Sequence, residues 1–168
     1  MRLETARLTL RPFQDGDVQA VQSCCHDHDV AQFMRRVPHP FTLADAEDFV
    51  ARVFPRRGQV WAVILGEELV GMVGTVGEFG YWIGRARRQQ GIATEAASVV
   101  LDHYFSAPEN EAIAASYMDD NQGSARLLAR LGFVVTGRTM LRSLARPAPV
   151  PGNTLRLTRQ RWLEKQNA

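Results

Sequence analysis

Gly91 stands where a polar, cationic run, RARRQQ, gives way to IATEAASVV, a stretch of small and branched residues with helix-forming composition. Residues of these types in this order can hold an anion. A helix beginning near Ile92 leaves its first backbone N–H groups without intrahelical acceptors, and a glycine at the joint lets a phosphate approach them where a side chain would obstruct it. Arg85, Arg87 and Arg88 bring positive charge to the same opening, and the guanidinium fork suits bidentate phosphate contact. The chemistry implied is pyrophosphate binding. The plainer alternative is a linking glycine with arginines facing water. Two rival phosphate patterns are absent: no GxxxxGK(S/T) occurs, and neither does GxGxxG with the parallel βαβ unit it requires.

The elements that must position this joint can be read from periodicity. RLTLRPF alternates apolar Leu8 and Leu10 with polar neighbours, the pattern of a half-buried strand closed by Pro12. Asp15 is expected to cap a helix running to about His28, with Val18, Val21 and Ser23 to Cys25 inward. Thr42 and Asp45 have the spacing of a capping pair before Ala46, Phe49, Val50 and Val53. QVWAVILGEELVGMVGTVGEFGYWIG predicts an antiparallel meander over about 59–65, 69–75 and 78–84. A helix over about 92–105, the strand AIAASYM and a helix over about 121–131 follow, with Gly132 as its C-terminal cap. FVVTGR and TLRLTR supply two last strands around an irregular Pro-rich loop, RPAPVPGN. This order predicts an α+β (mixed α/β layered) fold in a single domain, 1–168, with a mostly antiparallel sheet of about seven strands and helices on both faces.

Composition bounds the function without choosing it. At 168 residues one core can bury enough surface to be stable, and a 45% hydrophobic, 23% charged chain is ordinary for a globular protein. No apolar run approaches the roughly 18 residues of a membrane helix, and MRLETARLTL lacks a signal peptide's apolar core. A cytoplasmic protein with no membrane partner is expected. Cys24 and Cys25 are adjacent, poor geometry for a mutual disulfide, and no CxxC or His/Cys set nominates a metal. Charge is unevenly spread: seven carboxylates fall between Asp15 and Asp48, whereas Asn121 to Leu163 holds eight arginines and no acid. The net charge of +2 is too mild to argue for nucleic acid by itself.

RRQQGIATEA resembles the acyl-CoA pyrophosphate loop of the GNAT superfamily of N-acetyltransferases, whose Q/R-x-x-G-x-G/A pattern is met by Arg88, Gly91 and Ala93. The likeness extends through RLTLRPF, EFGYWIG, ATEA, NQGSARLLARLGF and LRLTRQRW, in order over nearly the whole chain. The subgroup resembled contains the ribosomal-protein N-terminal acetyltransferases. This resemblance implies a V-shaped splay between the strands at 78–84 and 112–118 that receives the pantetheine arm of acetyl-CoA, the co-substrate. Backbone groups near Trp82, Ile83 and Gly84 would bond that arm, and Arg88, Gln89, Gln90, Gly91, Ile92, Ala93 and Thr94 would hold the pyrophosphate. Asn121 would reach the pantetheine amides, and Ser124 would lie near the thioester sulfur. Taken singly, Asn121 is equally a helix cap and Ser124 an ordinary first-turn residue.

Acetyl transfer to an amine needs a neutral nucleophile, a stabilised oxyanion and a protonated thiolate. An α-amino group, with a reference pKa of about 7.7–8.0 against about 10.4 for lysine, needs the weaker base. Glu78 is the candidate base, sharing a strand face with Gly80, Trp82 and Gly84 by alternation; a solvent-facing hairpin residue is its plainer reading. A backbone N–H near Ile83 would hold the oxyanion. Where some superfamily members place a tyrosine acid, seven residues after the asparagine, this chain has Leu128, which leaves Ser124 as the hydrogen-bond donor to sulfur. The carboxylate that some ribosomal-protein acetyltransferases carry downstream of this helix is also missing. The acidic cluster would form a negative rim for a cationic amine, with His26, His28, His39 and Tyr81 as possible contacts.

The expected activity is direct acetyl transfer from acetyl-CoA to a primary amine, either a protein N-terminus or a small molecule such as an aminoglycoside-type antibiotic. A noncatalytic acyl-CoA sensor module is the alternative from another class. Attachment to RNA or the ribosome through the arginine-rich third, and a homodimer, stay open.

Overall fold

RLTLRPF forms its strand as the alternation requires: β2 (Leu8–Arg11) buries Leu8 and Leu10 and leaves Thr9 and Arg11 partly covered. In the computed structural model, which describes residues 1–168, β2 is flanked by a two-residue β1 (Leu3–Glu4) and by β3 (Val60–Leu65), both antiparallel. The meander continues through β4 (Glu68–Gly74) and β5 (Gly80–Ile83), completing a five-stranded sheet in the order β1-β2-β3-β4-β5. A second, three-stranded sheet has the order β6-β8-β7, from β6 (Ala112–Met118), β7 (Val134–Leu141) and β8 (Val150–Thr158).

The two sheets touch where the cleft was expected. Phe79 N–H donates to Ala114 O at 2.8 Å, and beyond that point β5 and β6 form no ladder. The expected single sheet of seven strands is therefore five plus three, with β1 the unforeseen strand. Glu78 and Phe79 lie outside β5, because Phe79 bonds across the junction and not to β4.

Helices cover both faces of the larger sheet. α1 (Val18–His26), α2 (His28–Ala31) and α3 (Leu43–Val53) pack on one face around Phe13, Val21, Phe49 and Trp82. α4 (Ile92–Ser106) and α5 (Gln122–Leu131) pack on the other, where Trp61, Val100, Leu101, Phe105 and Leu128 meet. Thr42 and Asp45 cap α3 reciprocally, as their spacing predicts. No helix is long and apolar enough to cross a membrane.

Three local expectations are corrected. The helix predicted from Asp15 to His28 is a 3-10 turn capped by Gln14, then α1 and α2. Asp27 turns extended and accepts from Asp29 N–H at 2.9 Å, so a short polar side chain competing for backbone donors breaks the helix. Ser23 faces solvent, since the inward stripe runs through Val21 and Cys25. The second half of RPAPVPGN belongs to β8. Pro151 lacks a donor, but its carbonyl accepts from Asp119 N–H at 3.0 Å, and a Cβ on Gly152 would lie 2.5 Å from Tyr117 O. A last helix, α6 (Arg159–Gln166), was also unforeseen; it is anchored by Trp162, 1% exposed, whose Nε1–H donates to Asp102 at 2.9 Å.

Candidate active site

The joint at Gly91 is built from alternating backbone hands. Gln89 (φ 59°) and Gly91 (φ 77°) are left-handed, which turns successive N–H groups to one side. None of the backbone N–H groups from Gln89 to Thr94 donates to an acceptor in the protein, and the first bond of α4 is Glu95 N–H to Gly91 O at 3.0 Å. Such a row of free donors at the start of a 15-residue helix fits a pyrophosphate.

The cations near this row are not those the sequence nominated as a group. Arg85 pairs with Asp29 at 3.3 Å and lies 3.9 Å from Asp27, while Arg87 pairs with Glu68. Both arginines sit on a 3-10 turn that directs them toward the α1–α2 junction and the β3–β4 hairpin. Arg88 alone meets no carboxylate; it donates to Asp29 O at 2.8 Å and to Ile83 O at 3.4 Å. The overlooked cation is Arg7, which donates to Gln90 O at 3.1 Å and pairs with Glu95 at 2.7 Å. Burial alone would raise the Glu95 carboxyl, but hydrogen bonds from Thr5 and Arg7 outweigh it and hold the group below its usual range. No local signal links residues so far apart in the chain.

The register of β5 decides which backbone groups line the cleft. Gly84 N–H donates to Val70 O at 2.9 Å, and the pairs Met72↔Trp82 and Gly74↔Gly80 continue that hydrogen-bonded set. Trp82 and Gly84 thus direct their backbone groups to β4, contrary to the expectation that they serve the cleft. Tyr81 and Ile83 point theirs toward β6, so of the expected three only Ile83 faces the opening. The Trp82 side chain is buried in the α1–α3 core, 3% exposed.

Alternation sends the side chains of Phe79, Tyr81 and Ile83 to the opposite face, under α4 and α5. There Tyr81 OH and Ser124 Oγ lie 2.8 Å apart. Burial raises the phenol above its ordinary value, more than the Ser124 bond and the Arg88 charge lower it. Asn121 caps α5, its Oδ1 accepting from Ser124 N–H at 3.1 Å. Leu128 is 2% exposed in the core. The sequence offers Tyr81 only as an acceptor contact, yet the same alternation that sets Trp82 on one face puts Tyr81 on the other, beside Ser124.

Glu78 lies on the α1–α3 side of the junction. Its carboxylate is 3.5 Å from Arg35 and accepts from Ser116 Oγ at 3.4 Å, and its side chain is 37% exposed. The expected acidic rim is largely engaged elsewhere: Asp17 is buried against Arg11, Asp27 and Asp29 face Arg85, and Asp45 caps α3. His39 packs against His26 and His28, with ring centroids 5.8 and 4.9 Å apart, and the nearest cation to Glu78 is Arg35. In the arginine-rich third, Arg138 pairs with Asp119 at 2.6 Å and Arg146 with Asp120 at 2.8 Å.

The acetyltransferase (GNAT) domain family matches residues 7–134. The "uncharacterized N-acetyltransferase YoaA" of Bacillus subtilis is 30% identical over 150 residues, 80% of this chain and 84% of that protein. The crystal structure of a GNAT-family acetyltransferase from Bacillus anthracis superposes with a TM-score of 0.84 at 22% identity, covering 95% of this chain and 99% of the other. RimL, the ribosomal L7/L12 α-N-protein acetyltransferase in complex with coenzyme A, superposes with a TM-score of 0.81 at 16% identity, covering 94% and 98%.

Proposed function

The chain belongs to the GNAT family and is an acetyl-CoA-dependent acetyltransferase, and on that premise we propose that its acceptor is the α-amino group of a peptide or protein N-terminus. Acetyl-CoA supplies the activated thioester. The free N–H groups from Gln89 to Thr94 hold its pyrophosphate, with Arg88 at their edge, and Ile92 and Ala93 start the helix beneath it. Tyr81 and Ile83 offer the unpaired edge of β5 to the pantetheine arm, Ile83 N–H serves as oxyanion donor, and Asn121 meets the arm from α5. Ser124 faces the sulfur.

Glu78 removes the amine proton on the α1–α3 side. A half-exposed carboxylate acting through water suits an acceptor whose reference pKa is about 7.7–8.0 and is a poor match for a lysine near 10.4. The backbone carries the acetyl-CoA part of the reading, with helix N-terminal N–H groups that have no internal acceptors beside a strand edge that leaves its neighbour after Phe79; the acceptor part rests on the partly exposed Glu78 carboxylate at that junction. The likeness to RimL and to the ribosomal-protein-S5-alanine acetyltransferase of Vibrio fischeri supports an N-terminal acceptor.

The test is incubation with acetyl-CoA and a library of peptides with free N-termini, alongside amine metabolites and aminoglycosides, followed by mass analysis. N-terminally acetylated peptides as the dominant products are expected, and Glu78→Gln should slow their formation. Acetylation confined to small amines would overturn the acceptor assignment. An intact thioester with every amine would favour the noncatalytic sensor.

A further inference from the structure

We propose that Tyr81 is the proton source behind Ser124, the two hydroxyls forming a relay from β5 to α5 that protonates the departing thiolate. The inference rests on the reading above that sets Ser124 beside the sulfur. Its basis is the 2.8 Å separation of Tyr81 OH and Ser124 Oγ, residues 43 apart in the chain that only the fold brings together.

A serine hydroxyl cannot give up its proton to a thiolate unless it receives another at the same time. Among the protein's own side chains, one group stands within hydrogen-bonding distance to supply it. α5 reads QGSARLLARL and carries no carboxyl, thiol or phenol of its own, and Tyr81 OH is the one protein group bonded to Ser124 Oγ. Both partners are held. Ser124 is fixed by the cap bond from its N–H to Asn121, and the Tyr81 ring lies against Phe79 with centroids 6.1 Å apart. Burial keeps the phenol protonated across the neutral range, so the donor is loaded before each turnover, while the Arg88 charge and the Ser124 bond favour the phenolate as the proton leaves.

The step balances. As the carbon–sulfur bond breaks, its electron pair stays on sulfur; Ser124 gives its hydroxyl proton to that sulfur and takes the phenol proton of Tyr81. The phenolate regains a proton from solvent, which meanwhile receives two from the acceptor as an ammonium becomes an amide. One proton is released overall.

Because Tyr81 works through Ser124, its removal must appear in measurements that a packing role would leave unmoved. With acetyl-CoA and a pool of free N-terminal peptides, Tyr81→Phe should lower kcat by about 100-fold, the low end for proton transfer, at unchanged KM for acetyl-CoA. With an acetyl thioester of an aromatic thiol, whose thiolate leaves without a proton, the deficit should vanish. Ser124→Ala should reproduce the loss, and the double variant should be no slower than either single one. Independently of turnover, ultraviolet titration of Tyr81, identified by its absence from Tyr81→Phe, should shift to higher pH in Ser124→Ala. A deficit that persists with the aromatic thioester, losses that multiply, or an unmoved phenol titration would each overturn the relay. If wild-type protein acetylates no peptide, the acceptor reading fails, and the titration alone decides whether the two hydroxyls are coupled.

Discussion

Gly91→Glu separates the anion site from ordinary backbone strain, provided that it is paired with Gly58→Glu. Both glycines are left-handed, at φ 77° and 81°, and neither would place a Cβ in a clash: the nearest atom is Arg7 Nη2 at 3.4 Å for Gly91, and nothing lies within 4 Å of Gly58. Each substitution should therefore carry the same conformational cost, about 1–2 kcal/mol for an L-residue in that region. For a chain of this length that lowers Tm by about 2–8 °C in both variants.

Only Gly91 stands at the row of free N–H groups. Acetyl-CoA at about 100 times its Kd stabilises the folded state by about 2.7 kcal/mol, a rise of about 5–11 °C in Tm. A carboxylate beside the pyrophosphate that weakens affinity about 100-fold reduces this to RT ln 2, about 0.4 kcal/mol, or about 1–2 °C. The assay is thermal unfolding with and without acetyl-CoA for wild type and both variants. Gly58→Glu should keep the full rise and Gly91→Glu should lose most of it. Equal rises in the two variants would refute the assignment of the pyrophosphate to the α4 N-terminus.

Other outcomes follow from the electrostatics. The Glu95 carboxyl is held below its usual range, so its contribution is fully present above the unfolded value of about 4.3 and is lost as pH falls through the lower folded value. Glu95→Gln should accordingly cost about 1 kcal/mol at pH 7, and chemical denaturation should show the gap to wild type closing below about pH 4; a gap constant down to pH 2 would contradict this. Burial first, and the Glu68 charge second, push the Cys24 thiol up to about 11, and burial raises Cys25 further. Alkylation by iodoacetamide at pH 8 should run about 100-fold slower than for a free cysteine, in proportion to thiolate fraction; rapid labelling of native protein would show that Cys24 is more open than its packing against Gly84 implies.

Much of this protein is local and so was legible in one dimension. The Thr42–Asp45 capping pair, the three-strand meander, Asn121 and Gly132 at the two ends of α5, and the glycine at the head of α4 each depend on residues within a few positions of one another. Period and capping chemistry fix such features before the chain folds back on itself. Resemblance of motif order then named the superfamily and the cleft.

What the sequence left undecided involves partners far apart in the chain. Which of Arg85, Arg87 and Arg88 remains free depends on carboxylates at Asp27, Asp29 and Glu68, and Arg7 reaches Gln90 only because β2 and α4 meet across the sheet. The direction in which Trp82 and Ile83 aim their amides is set by a one-residue choice of register against β4, which no composition records. Tyr81 and Ser124 become a pair by the same route. Side-chain type gives each group its chemistry, but the long-range pairing of strands determines which groups are left without a partner and are therefore open to a ligand.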